Sequence, residues 1–408
     1  MLCNTLEWYD FAIYGILVAY ISRAFFPQDA GDGAALLATF ALFGVSFVMR
    51  PVGGLILGGF GDDRGRKPAL MISAALMGLA TLAIALIPSY DRIGLMAPVL
   101  LLIARVAQGF SAGGEWGSAA SFLLEWAPSE RRGFWTSFLS VTVALGSGLA
   151  SAVAAALITL LPSDDMQAWG WRVPFLIGSL LGGVALWIRA RVDETPVYLD
   201  VKLEPSRAAP VTFRSNLTSA LLVFGFTVHW TVCYYMFLIY MPVFTRTYAQ
   251  LNSAQSVWLT AMSTIVIILL VPLVGRLSDR YGRKPFLIAS CLLVIFLAIP
   301  ALWLIATLQN FLVIICIQIL FACAIALYSG PGPAVTVELF DTRGRSRWSS
   351  VSYAVATAIF GGFAPVIAIW LTGVSGSPLA PAAYVVVAAL ISLLTVLRMR
   401  ETYRTSIA

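Results

Sequence analysis

Gly275-Arg276-Leu277-Ser278-Asp279-Arg280-Tyr281-Gly282-Arg283-Lys284-Pro285 closes one long apolar run and opens the next. Gly58-Gly59-Phe60-Gly61-Asp62-Asp63-Arg64-Gly65-Arg66-Lys67-Pro68 does the same 217 residues earlier, about half the chain. Glycines, an aspartate, basic residues and a closing proline recur in one order, so the chain reads as a duplicated unit. A second echo pairs Glu125 with Glu338, each followed within nine residues by an Arg-rich turn. The polar stretch from Arg189 to Ser215, with Pro196, Pro205 and Pro210, is the natural connector. The expected division is therefore 1–190, a linker over 191–215, and 216–408.

A helix needs about 20 apolar residues to cross a bilayer. Six such runs precede the connector: Asn4 to Phe26, Leu36 to Phe60, Leu70 to Pro88, Gly94 to Trp126, Thr136 to Leu161 and Val173 to Ile188. Six follow: Leu217 to Thr245, Ser256 to Leu277, Pro285 to Ala306, Phe311 to Ser329, Trp348 to Thr372 and Ala380 to Leu397. They are too long for barrel strands, which run about 10 residues, and they lack two-residue alternation. The predicted fold is an all-α membrane protein of twelve spans in two pseudo-symmetric six-helix bundles.

Composition agrees. The 408 residues are 60% hydrophobic and 11% charged, against roughly 25% charged in a soluble domain. A water-facing globule has no place for so much apolar surface, and disorder is excluded on the same ground. The net charge of +6 does not point to nucleic acid. With the N-terminus inside, 20 of the 26 Lys and Arg fall in inside loops; only Arg23, Arg92, Arg172 and Arg246 fall outside. That is a positive-inside pattern, with both termini cytoplasmic. The five cysteines lie in apolar stretches without metal-ligand spacing, so neither disulfides nor a metal is expected. Glu7 and Asp10 in the first run argue against a cleavable signal peptide. A start almost inside that run leads us to expect that a short leader is missing.

The loop G-x-x-x-D-R-x-G-R-K, intact at Gly275 to Lys284, is similar to the signature of the major facilitator superfamily. Further stretches narrow the resemblance: Asn4-Thr5-Leu6-Glu7-Trp8-Tyr9-Asp10-Phe11, Phe47-Val48-Met49-Arg50-Pro51-Val52-Gly53, and Arg105-Val106-Ala107-Gln108-Gly109-Phe110-Ser111-Ala112-Gly113-Gly114-Glu115. Trp169-Gly170-Trp171-Arg172-Val173-Pro174-Phe175 and Ala358-Ile359-Phe360-Gly361-Gly362-Phe363-Ala364-Pro365 complete it. Together they resemble the metabolite:proton symporter family, whose members carry citrate, dicarboxylates, betaine or proline. The texture around Thr39 to Pro51 and Thr357 to Pro365 looks closest to citrate and tricarboxylate carriers. Two departures stand out: Asp63 occupies the usual Arg position of the first loop, and Phe340-Asp341 stands where the family has Phe-Pro.

Charges inside lipid are costly, so each one is a functional candidate. Glu7, Asp10 and Tyr14 share one face of the first span. Arg50 lies about mid-bilayer in the second, and Arg105, Gln108 and Glu115 lie within one arc of the fourth. The resemblance implies that the first and fourth spans line an aqueous cavity, which would bring Asp10, Arg105 and Glu115 to one space. Arg105, with Arg50, offers a planar fork to a substrate carboxylate. Asp10, Glu7 or Glu115 would bind the coupled proton. The competing reading is of buried ion pairs that hold helices in register. His229, the only histidine, suits a proton relay, a substrate donor or a satisfied core imidazole equally. Tyr328 and Tyr353 suit cavity lining or interfacial anchoring. Asp62, Arg64, Arg66, Glu125, Asp279, Arg280, Arg283 and Glu338 read as a cytoplasmic gate of pairs that form and break as the halves rock.

The expected function is secondary transport: proton-coupled symport of a small organic anion, a di- or tricarboxylate such as citrate, by alternating access. The alternatives are symport of a zwitterion such as betaine or proline, and efflux by antiport. No nucleotide loop, metal cluster or Ser/His/Asp set suggests an enzyme, and no cofactor beyond the coupling proton is expected. The setting expected is a bacterial inner membrane, the partners a lipid bilayer, a proton and a small solute, and the unit a monomer, as is usual for this fold.

Overall fold

Lipid offers no partner for a backbone N–H or C=O, so each apolar run must satisfy its own. All of them do so as helices. The computed structural model describes residues 2–27, 32–191, 213–251, 253–341 and 344–403. Most of the linker expected over 191–215 lies outside them. Among the described residues no strand forms, and eleven helices are long and apolar enough to cross a membrane. The twelfth crossing is the first span, which breaks at Leu17 into Leu2–Ile16 and Val18–Phe25.

The other spans are, in order, Asp32–Arg64, Arg66–Leu86, Met96–Trp126, Arg132–Leu160 and Val173–Ala190, then Phe213–Tyr248, Ser253–Tyr281, Lys284–Leu308, Phe311–Ser329 continued by Gly332–Glu338, Arg345–Ser375 and Ala380–Arg398. Each coincides with an expected run to within a few residues, except the tenth, which continues nine residues past its expected end at Ser329. Their outward faces carry large bare side chains, among them Leu160 at 78% and Phe296 at 70% exposed. Against water that surface would be untenable; against acyl chains it is neutral.

Two spans depart from α geometry. Tyr235–Tyr240 in the seventh and Thr357–Gly361 in the eleventh are π turns. A π turn inserts a residue and loosens the backbone ladder, so freed carbonyls need other donors. Here the Gln318 amide donates to the Phe237 carbonyl (3.2 Å), and the Tyr384 hydroxyl donates to the Phe360 carbonyl (2.8 Å). Each π turn is thus braced by a side chain from another span.

Packing divides the chain into two compact units. One holds Met1–Phe122, Thr142–Glu204 and Gly344–Ala354; the other holds Leu123–Val141, Pro205–Arg343 and Val355–Ala408. The sequence halves at 1–190 and 216–408 therefore exchange segments: the start of the eleventh span packs in the first unit, and the start of the fifth in the second. In the first unit the second and fourth spans cross with backbones in contact. A Cβ at Gly109 would overlap the backbone of Ser46, and one at Gly113 the backbone of Arg50. Glycine at both positions sets the depth and rotation of the helices that carry Arg50 and Arg105.

Candidate transport site

The first span presents Glu7, Asp10 and Tyr14 on one face as expected, and all three are buried. Asp10 and Arg105 do not form an ion pair. They are joined through two neutral side chains. Arg105 Nη1 donates to Gln108 Oε1 (2.7 Å), and Gln108 Nε2 donates to Thr81 Oγ1 (2.9 Å). The Thr81 hydroxyl in turn donates to Asp10 Oδ2. Guanidinium has no acceptor, so the direction of every link is fixed by the first. The sixth span approaches Asp10 through Gly178, where a Cβ would lie 2.7 Å from Oδ1.

The Arg105 guanidinium lies 4.1 Å from the centre of the Tyr14 ring, and the Tyr14 hydroxyl donates to the Thr39 carbonyl (3.2 Å). Stacking and the Gln108 bond hold the head group still. Its Nε and Nη2 atoms have no hydrogen-bond partner among the described residues. Those two atoms form one edge of the guanidinium, the edge that grips a carboxylate with two parallel bonds. Asp10 Oδ1 is likewise buried without a partner.

A second cluster lies one helical turn away. Arg50 pairs with Glu7 at 3.3 Å, both almost fully buried. The Arg50 guanidinium sits 4.3 Å from the Phe11 ring centre and 4.6 Å from that of Phe47. Glu115, 1% exposed, lies within electrostatic reach of Glu7, and its Oε1 has no hydrogen-bond partner among the described residues. Arg50 thus has an ionic partner in Glu7, whereas Arg105 has no facing carboxylate; the Nε and Nη2 atoms of both lack a hydrogen-bond partner among the described residues. Tyr353 belongs to this unit as well, its ring stacked on Trp116 at 4.3 Å.

The second unit treats its candidates differently. Ser290 donates to the Ala324 carbonyl (2.7 Å), so it accepts from His229 Nε2 at 3.1 Å; the Cys233 thiol then faces Nδ1 at 3.4 Å. Both ring nitrogens are engaged, as in a satisfied core histidine. Tyr328 stacks on Phe226 (4.9 Å) and donates to the Phe226 carbonyl (2.8 Å). Neither offers a polar group to a solute in this arrangement. The hydroxyls of Thr231 and Thr357 are buried without hydrogen-bond partners, and Gly361 packs against Thr231 and Tyr235 beside the π turns. Sequence reasoning passed over Thr81, Thr231 and Thr357; their one signal is a polar group in an apolar run.

The duplicated loops form two matching clamps. Asp62 accepts from the backbone N–H groups of Ser346 (3.1 Å) and Arg347 (3.0 Å) at the start of the eleventh span. Asp279 accepts from those of Gly133 (2.7 Å) and Phe134 (2.8 Å) at the start of the fifth. Each carboxylate satisfies orphan donors and faces the positive end of a helix. Arg66 pairs with Asp62 at 2.9 Å, and Arg283 with Asp279 at 2.7 Å and Glu338 at 3.1 Å. Burial works against the charge of Arg283, yet the Glu338 and Asp279 carboxylates outweigh it and hold the guanidinium's proton more tightly than usual. Arg64 and Arg280 are exposed and stand outside these pairs, Arg280 lying over the ring of Tyr281. Asp63, the departure from the loop pattern, is exposed too and faces Arg347 at 3.7 Å. It leaves the buried clamp untouched. Glu125 is buried in the second unit.

Twelve apolar crossings with polar side chains buried among them define an integral membrane protein. The family model of the Major Facilitator Superfamily matches residues 1–324 and 248–407, and the chain belongs to that family. It is 36% identical to the glycine betaine/proline/ectoine/pipecolic acid transporter OusA of Dickeya dadantii, over 98% of this chain and 81% of that protein. It is 34% identical to the citrate-proton symporter of Klebsiella pneumoniae, over 96% of this chain and 88% of that one. Among solved structures, the proton:xylose symporter XylE bound to 6-bromo-6-deoxy-D-glucose superimposes with a TM-score of 0.85 at 18% identity, over 100% of this chain and 95% of the other. The XylE match speaks to the fold alone.

Proposed function

We propose that the chain couples proton entry to uptake of a small solute bearing one carboxylate, with a zwitterion such as betaine or proline ahead of citrate. The observation that carries this reading is the Nε/Nη2 edge of Arg105, which has no hydrogen-bond partner among the described residues and belongs to a side chain linked to the carboxyl of Asp10. A solute carboxylate fits that edge by two charge-assisted bonds. Asp10 holds the coupled proton, and the two occupancies favour one another, so an inward proton gradient drives accumulation.

Charge supports the ranking of solutes. In the first unit the intramembrane guanidiniums of Arg50 and Arg105 stand against the carboxyls of Glu7, Asp10 and Glu115. Glu7 already takes Arg50. Arg105 is the guanidinium left without a carboxylate of its own, which suits a solute with one carboxylate and is poor for one with three. A second reading, citrate symport, keeps the support of the citrate-proton symporter relative and of the sequence texture. The same alternating-access cycle serves either solute, with Asp62 and Asp279 releasing their capped helices during it. The positive-inside count supports cytoplasmic termini in a bacterial inner membrane.

The test is uptake into proteoliposomes carrying the purified protein under an imposed inward proton gradient, with labelled betaine, proline and citrate in parallel. Betaine or proline accumulates and collapses on adding a protonophore. Accumulation of citrate alone overturns the ranking, and accumulation that ignores the gradient overturns proton coupling.

A further inference from the structure

Thr81 is a single hydroxyl in the third span, deep in an apolar helix and fully buried. Its oxygen sits between an acid and an amide that answers to an arginine. Several buried hydroxyls in this chain bond back to their own helix: Thr227 donates to the Val223 carbonyl and Ser263 to the Leu259 carbonyl. Thr81 instead spends its hydrogen on Asp10 of the first span and its lone pair on Gln108 of the fourth. Three helices meet in this one atom.

We propose that Thr81 and Gln108 are positioning residues that relay solute binding at Arg105 to proton binding at Asp10; this rests on the symport reading above. The order of donors sets the sense of the relay. Arg105 polarises Gln108, Gln108 polarises Thr81, and the hydroxyl stabilises the Asp10 carboxylate. A solute carboxylate on the Nε/Nη2 edge draws the guanidinium toward itself and weakens its hold on Gln108. Each later link slackens, Asp10 loses support for its charge, and it takes the coupled proton on Oδ1, which has no hydrogen-bond partner among the described residues. Loss of solute reverses the series and the proton leaves. Other groups face Asp10 as well: Arg105 from the fourth span, and Glu7 and Tyr9 from its own helix, lie within electrostatic reach. The sixth span brings Gly178 against Oδ1, and the third brings Thr81 against Oδ2. The chain of hydrogen bonds is what distinguishes a relay from bulk electrostatics.

The relay is tested with Thr81→Val and Thr81→Ser, beside wild type, in proteoliposomes with labelled betaine and labelled citrate as probes. Exchange of labelled for unlabelled solute reports binding and the conformational cycle; accumulation under an inward proton gradient reports coupling. Thr81→Val is expected to keep exchange within about twofold of wild type and to lose about tenfold in accumulation, the value of one hydrogen bond to a charged group. Its pH of half-maximal uptake moves upward by about one unit, because the carboxylate has lost a donor. Thr81→Ser restores both. Wild-type accumulation and pH profile in Thr81→Val overturn the relay while leaving symport intact. Loss of exchange along with accumulation in Thr81→Val also overturns it, by assigning Thr81 to packing or binding. Failure of wild type to accumulate either probe overturns the symport reading itself, and the relay with it.

Discussion

Arg105 is held from two sides, by the Tyr14 ring and by the Gln108 amide, so its remaining edge is rigid before any solute arrives. Pre-organisation of this kind lowers the ordering cost of binding. Lysine at this position keeps the charge and loses the fork. Arg105→Lys is expected to raise the half-saturation concentration of uptake about tenfold to a hundredfold, the worth of a charge-assisted pair of bonds; initial-rate uptake against concentration measures it. The charged members of the candidate site were legible in the sequence, because Glu7, Asp10, Arg50, Arg105 and Glu115 interrupt runs that lipid should have kept apolar. Thr81 was not. A threonine in an apolar helix ordinarily bonds its own preceding turn, and nothing in the sequence marks the one that reaches across to a neighbour. The same limit applies to His229, whose partners Ser290 and Cys233 come from two spans and could not be named from sequence.

At the scale of elements, the site depends on how closely the second and fourth spans cross. Gly113 meets the backbone of Arg50 itself, so any side chain there must push the arginine-bearing helices apart. Gly113→Ala is expected to cost about 1–3 kcal/mol, the usual range for overpacking a tight contact, and to lower the temperature at which the detergent-solubilised protein loses its monodisperse elution profile. Gly148, with open space around its Cβ position, is the matched control: Gly148→Ala leaves that temperature unchanged. Span positions were readable from length and apolarity. The breaks were not: an extra residue in a π turn leaves an apolar run equally apolar, and only the bonds from Gln318 and Tyr384 reveal where the ladder opens. The interruption at Leu17 in the first span is silent in the same way.

Across the whole molecule, duplication places one aspartate clamp in each compact unit, and the clamps explain why packing units exchange segments between the sequence halves. Asp62 fastens the start of the eleventh span in the first unit; Asp279 fastens the start of the fifth in the second. Asp279→Asn keeps the shape and removes the charge that faces the helix end. The amides of Gly133 and Phe134 are then expected to exchange hydrogen about tenfold faster or more, as the loss of a charge-assisted bond implies; mass-resolved hydrogen exchange over the fifth span reads this directly. The repeat itself was plain in the sequence. Which basic residue serves each clamp was not, because Arg64 and Arg66 differ there only in register, and only the fold shows that Arg66 turns inward.

In the proposed cycle, transport by the whole protein turns on Asp10 carrying the proton that solute binding at Arg105 invites. The most direct measurement compares wild type with Asp10→Asn in proteoliposomes, reading solute accumulation under an inward proton gradient beside solute exchange without one. Asparagine matches the carboxyl in shape and cannot exchange a proton. The expected result is that Asp10→Asn continues to exchange solute and no longer concentrates it. Accumulation by Asp10→Asn to the wild-type level would contradict the account.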